Sequence, residues 1–302
     1  MVKLVHGEEE VELAILRGLR LAVLLSIVLL ALESVGAFLS HSLSVTADAV
    51  HDVPDILAFA ISFTALRSVE QGASERFTFG RHRLEVFAAL LNAALVLGTG
   101  LFFAYEASST ILERTTFAGP VDPIWIVVVA LPSLALRAGN IVSLRSIPTR
   151  ARDLNLRSVV LHLASDLGIT SVLLVTALIL IVRPSLALAD PAAALVISGL
   201  LVWDSLPLFR EGWEVLAETT PRDVQLETVR AALLGVPSVS EVHDLHVWAV
   251  CPTLICMTAH VQVREMSMRE GMEVVRQLRD RMAEQFGILH ATFEVEAAAG
   301  PH

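Results

Sequence analysis

The chain has 302 residues, 54% of them hydrophobic and 18% charged, with a mean hydropathy of +0.65. A soluble domain of this length carries more charge, so the composition points to a polytopic membrane protein. A formal net charge of −10 excludes nucleic acid as a partner, because phosphate binding needs clustered Lys and Arg.

The first residues, MVKLVHGEEEVE, are acidic, and no small-residue cleavage site follows the first apolar run. No signal peptide is therefore expected, and residues 1–12 read as a cytoplasmic N-terminal segment. Hydropathy then predicts six spans, at about 13–39, 43–66, 84–111, 122–144, 157–182 and 190–212, each near the 20 or so apolar residues a crossing needs. They make a transmembrane domain over residues 13–214. The connection after the second span holds Arg67, Arg76, Arg81 and Arg83, and that after the fourth holds Arg145, Arg150, Arg152 and Arg157. The opposite-side connections hold only Arg114 and Arg183, which places both termini in the cytoplasm.

The second span contains SVTADAVHDVPDILAFAISFTALR. At about 100° per residue, Asp48, His51, Asp52 and Asp55 fall within roughly a third of the helix circumference. Ionisable groups in a bilayer core face a protein interior, a water path or a metal. The fifth span repeats the pattern with His162 and Asp166, again four residues apart on one face. His51 with Asp55 and His162 with Asp166 make a four-ligand nitrogen and oxygen set, which suits tetrahedral Zn²⁺ better than Mg²⁺ or Ca²⁺. Arg137, inside the fourth span, is expected to snorkel or to pair with an intramembrane acid such as Glu106 or Asp204, in a structural role.

After Pro221 the pattern changes. Residues 223–235 and 267–286 are amphipathic at helical period, while 239–249, 254–263 and 290–296 read as strands. The order αββαβ makes residues 215–302 one small α+β domain. From residue 217 onward it holds seven Lys or Arg against twelve Asp or Glu, a solvated surface with some attraction for cations. Cys251 and Cys256 match no common zinc or redox spacing and read as reduced, buried thiols. Strand alternation puts His243 and His246 on opposite faces. It also puts His290 with Thr292, Glu294 and Glu296, opposite Ala291, Phe293 and Val295.

Four stretches, HSLSVTADAVHDVPD at 41–55, RFTFGRHRLEVFAALLN at 76–92, NLRSVVLHLASD at 155–166 and VHDLHVW at 242–248, together resemble the cation diffusion facilitator family in its zinc-transporting branch. The resemblance implies a six-helix membrane domain, a cytoplasmic metallochaperone-like domain, a homodimer, and export of a divalent metal in exchange for protons from a bacterial inner membrane. It carries the transport quartet onto His51, Asp55, His162 and Asp166. Asp48 and Asp52 become supporting groups, and His243, His260, His290 and Glu294 a candidate regulatory metal site. Zinc is the implied cargo, with Cd²⁺, Co²⁺, Fe²⁺ or Mn²⁺ as alternatives. Accessory sites in the loops are not expected, since those loops offer only Glu75 and His82, and Arg81 stands where the family usually has an aromatic residue. Two other classes fit less well. A membrane metal sensor has no need of an intramembrane quartet, and an intramembrane metallohydrolase would show His-Glu-x-x-His or an open zinc position. An enzyme is not expected.

Overall fold

A computed structural model describes residues 23–69, 74–145 and 154–297; within them, the side chains of residues 55, 58–69, 140, 143–145 and 154–162 lie outside the described set. Six long helices come first: α1 (Val23–Ser40), α2 (Leu43–Val69), α3 (His82–Glu113), α4 (Pro123–Arg145), α5 (Leu154–Val182) and α6 (Ala189–Leu216). They follow the expected spans closely; the expected start of the first span lies outside the described residues. α1, α3, α6 and the Leu163–Val182 part of α5 are long and apolar enough to cross a membrane. α2 is 27 residues long, and its intramembrane acids lower its hydropathy. α4 contributes a shorter apolar stretch, Pro123–Gly139.

The chain divides into two compact units, residues 1–61 with 91–207, and residues 62–90 with 208–302. In the first, branched and small side chains fill the bundle core, among them Leu43, Ala47, Ile126, Ala130, Ile169 and Ile197. Small residues let helix backbones approach one another in membranes. Gly36 shows why: a Cβ there would lie 2.3 Å from Val129 Cγ2, so α1 runs close against α4.

The start of α2 is fixed from another helix. Buried Asp190, in the first turn of α6, accepts hydrogen bonds from Ser42 Oγ at 2.5 Å, Leu43 N at 2.8 Å, Ser44 N at 3.3 Å and Ser44 Oγ at 2.6 Å. The carboxylate thus satisfies N–H groups that a helix N-terminus leaves without partners and complements its dipole. This cap positions the helix that carries the acidic stripe.

The second unit contains α7 (Leu226–Leu234), β1 (Val239–Cys251), β2 (Leu254–Val263), α8 (Met268–Phe286) and β3 (His290–Ala297), the αββαβ order expected. β1 and β2 form an antiparallel hairpin, and β3 lies parallel to β2, with α8 as the crossover that parallel strands require. Val229 and Leu233 of α7 and Leu278 and Met282 of α8 bury against Val242, Val247, Met257 and Val261 of the sheet. α8 opens with a reciprocal Ser267–Glu270 capping box and closes on Gly287 at φ +66°, a left-handed conformation glycine adopts without strain.

β1 departs from simple alternation. Its register shifts between His243 and His246, where Asp244 has φ +48°, so one extra residue is accommodated there. His243 pairs with His260 and His246 with Thr258; His260 and Thr258 are two residues apart, so His243 and His246 share a face. The expectation of opposite faces fails because of the bulge.

Asp190→Ala removes the acceptor that holds the start of α2. Each buried donor left unpaired costs about 1–3 kcal/mol, so the variant is expected to unfold at a lower temperature in detergent, with Asp190→Asn intermediate; a melting point equal to the parent's would contradict the cap.

Candidate metal centre

His51 stands on α2, 1% exposed. Its Nδ1 lies 2.5 Å from the carbonyl oxygen of Asp48. A carbonyl only accepts, so the proton sits on Nδ1 and the lone pair on Nε2. Nε2 is buried without a hydrogen bond among the described residues. It faces Asp52 Oδ1 at 3.5 Å and Asp166 Oδ1 at 3.7 Å. A lone pair turned toward two carboxylates is satisfied by a cation, either a metal ion or a proton on Nε2. Ligand atoms bonded to tetrahedral zinc at about 2.0–2.2 Å stand roughly 3.3–3.6 Å apart, so both separations are close to that edge length. An imidazole whose second nitrogen donates to a backbone carbonyl is also how metal-binding histidines are usually oriented.

The positive charge of the cluster comes from α4. Arg137, 2% exposed, donates from Nη2 to Glu33 Oε1 at 3.0 Å, to Asp48 Oδ1 at 3.4 Å and to the Asp52 oxygens at 3.3 and 3.4 Å. Its Nη1 donates to the carbonyl oxygen of Asp166 at 3.2 Å. One guanidinium thus ties α1, α2 and α5 to α4. The expected structural pairing is real, but its partners are Glu33, Asp48 and Asp52 rather than Glu106 or Asp204. Asp204 instead accepts a short hydrogen bond from Ser165. Asp48 and Asp52 hold the histidine on one side and the arginine on the other, so both carboxylates are shared between them.

Glu33 was not anticipated. It is fully buried at mid-helix in α1, and the available signal was the lone acid inside the run LLALESVG. Of the expected quartet, the structure brings His51 and Asp166 together. Asp55 lies on α2 and His162 on α5, and the side chains of both are outside the described residues.

A second cluster lies on the polar face of the C-terminal sheet. One ligand atom each from His243, His260 and Glu296 falls within 4.8 Å of the others. His260 Nδ1 is 2.9 Å from Glu296 Oε1, and its Nε2 is 3.4 Å from Asp244 Oδ2 and 3.6 Å from Glu294 Oε2. His243 Nε2 lies 3.3 Å from Glu296 Oε2, and its Nδ1 is buried without a hydrogen bond among the described residues. Asp244 at the bulge also accepts from His246 at 2.9 Å. His290 stands apart: it pairs with Cys256, whereas His260 pairs with Glu294. Four residues of strand separate them, roughly 13 Å. Its ring packs edge-on against Phe79, centroids 5.8 Å apart. Glu296, one alternation beyond Glu294, was missed as a candidate although it lies on the same polar face. Cys251 and Cys256 are free and buried, as expected.

Glu296 hydrogen-bonded to His260 raises the pKa of that imidazole above 6.5, with Glu294 and Asp244 adding to the effect. The same cluster lowers the pKa of Asp244, chiefly through its hydrogen bond with His246.

Comparison with known proteins follows both units. Residues 19–217 match the family model described as the cation efflux transmembrane domain, and residues 221–298 match that of the cation efflux protein cytoplasmic domain. The metal cation efflux system protein CzcD of Cupriavidus metallidurans is 31% identical over 93% of this chain and 87% of its own length. The zinc transporter ZitB of Pectobacterium atrosepticum is 28% identical, over 96% and 88% respectively. The cadmium, cobalt and zinc/H(+)-K(+) antiporter of Bacillus subtilis is 26% identical, over 90% and 86%.

The His260 shift has a definite sign. A raised folded-state pKa means that its contribution to stability is complete below pH 6.5 and is lost as the pH rises through the folded value. Imidazole NMR on the metal-free protein should give a His260 midpoint above 6.5, falling toward the ordinary value in Glu296→Gln. An unmoved midpoint would contradict the assigned hydrogen bond.

Proposed function

We propose that this chain, which belongs to the cation diffusion facilitator family of cation efflux proteins, exports divalent metal from the cytoplasm, with zinc as its preferred cargo and protons as counter-ions. The observation that carries this reading is the His51 imidazole: its Nδ1 is anchored on the Asp48 carbonyl, and its buried Nε2 faces the carboxylates of Asp52 and Asp166. Zinc takes neutral imidazole and ionised carboxylate, so a metal ion and a proton compete for the same lone pair. Loading the metal releases protons; protonation releases the metal. His51, Asp55, His162 and Asp166 make up the transport quartet, two residues from each of two helices, with Asp48 and Asp52 in support.

Exchange across a membrane also requires the site to open to one side at a time. Pro54 lies inside α2, three residues beyond His51, and removes the helical hydrogen bond to the Val50 carbonyl. That weakened turn gives α2 a place to bend beside the site. The uneven distribution of arginine puts both termini in the cytoplasm, so metal loads from the cytoplasmic side and leaves on the other. The family of the cytoplasmic domain favours a homodimer.

The C-terminal cluster is the second part of the proposal. His243, His260 and Glu296, with Asp244 and Glu294 within reach, offer nitrogen and oxygen donors to a regulatory divalent ion. The Nδ1 of His243, buried without a hydrogen bond among the described residues, fits such a role, and the bound ion would supply charge linking the hairpin to β3.

Zinc flux into proteoliposomes under a pH gradient tests the transport reading. Changes behind the ligands commonly cost about 10–100-fold, so loss of a ligand in His51→Ala or Asp166→Ala should lower flux by at least that much. Undiminished proton-coupled flux in either variant would contradict the assignment. A separate zinc titration of the full chain should lose one class of site in the His243→Ala, His260→Ala double variant; an unchanged isotherm would remove the C-terminal site.

A further inference from the structure

Distance alone does not separate ligand from bystander around His51. Its Nε2 is 3.5 Å from Asp52 Oδ1 and 3.7 Å from Asp166 Oδ1, and both distances are close to a zinc tetrahedron edge. The arginine distinguishes the two. Arg137 Nη2 approaches both oxygens of Asp52, at 3.3 and 3.4 Å, whereas its hydrogen bond to Asp166 goes to the backbone carbonyl. Glu33 holds the same nitrogen from α1 at 3.0 Å. The guanidinium keeps its charge under all conditions a protein meets, so Nη2 holds Asp52 against a positive charge whatever occupies Nε2 of His51.

We infer that Arg137 is a specificity-determining positioning residue: by engaging both oxygens of Asp52 it withholds that carboxylate from the transported ion and keeps the shell at four ligands. The inference rests on the transport quartet proposed above. A fifth donor beside Nε2 would make the site richer in oxygen and higher in coordination. That change disfavours zinc, which is content with four nitrogen and oxygen ligands, relative to Mn²⁺, which accepts more oxygen. Selectivity in such a site is set by geometry and ligand count, because raw affinity follows the metal series whatever the site. Arg137 therefore acts on the ion without touching it, through Asp52.

Two double variants separate this role from a merely structural one. Glu33→Gln with Arg137→Gln, and Asp52→Ala with Arg137→Gln, each remove the guanidinium and one of the carboxyl groups that face it; only the first leaves Asp52 in place without its guanidinium. Initial uptake of Zn²⁺ and of Mn²⁺ into proteoliposomes gives kcat/KM for each metal, with KM and kcat separated. The first variant should lose about tenfold in the zinc-to-manganese ratio, chiefly through a lower KM for Mn²⁺. The second should keep the wild-type ratio even if both rates fall. A structural or purely electrostatic role would move the two variants together, and equal ratios in both would overturn the inference while leaving the transport reading intact. Wild-type protein that carries neither metal would overturn the transport reading and this inference with it.

Discussion

Burial of charge among apolar helices is the constraint on which the membrane unit depends. Glu33, Asp48, His51, Asp52, Arg137 and Asp166 are all buried, and each isolated charge would cost several kcal/mol in such surroundings. The structure offsets this by making one guanidinium serve four helices. Removing a single partner of a buried pair commonly costs about 3–5 kcal/mol, so these groups hold the bundle in one arrangement. The same constraint explains why the Asp48 and Asp52 carboxylates lie between histidine and arginine: each needs a positive partner whether or not Nε2 carries a proton or a metal.

The imidazole then turns packing into chemistry. Fixing Nδ1 on the Asp48 carbonyl turns Nε2 toward Asp52 and Asp166, and the Asp190 cap fixes the start of the helix that delivers it. A proton and a divalent ion are alternative solutions for the same lone pair. The proposed antiport needs no further group beyond a means of exposing the site to each side in turn.

Much of this was legible in the sequence, for reasons that mark out what was not. Helical period and hydropathy placed the long helices and the αββαβ order, because both depend on local pattern. The stripe on α2 and the pair on α5 were visible as i, i+3 and i, i+4 spacings. The partners of Arg137 were not, since sequence gives a side chain's depth along α4 but not which neighbouring helix it turns toward; Glu33 on α1 was passed over for the same reason. In the C-terminal domain, alternation put the polar faces in place but failed at Asp244, whose φ of +48° inserts a bulge. Aspartate tolerates that conformation better than most residues, which was the one local hint. His290 shares the face of His260 yet pairs with Cys256, a register that no single strand reveals.

The central claim is that a divalent ion binds Nε2 of His51 within a four-ligand shell. X-ray absorption at the zinc edge, on membrane-reconstituted protein carrying His243→Ala and His260→Ala to silence the C-terminal cluster, tests it most directly. The spectrum should show about four nitrogen or oxygen neighbours near 2.0–2.1 Å with the outer-shell scattering of two imidazoles, and one imidazole fewer after His51→Asn. An identical spectrum with and without His51 would contradict it.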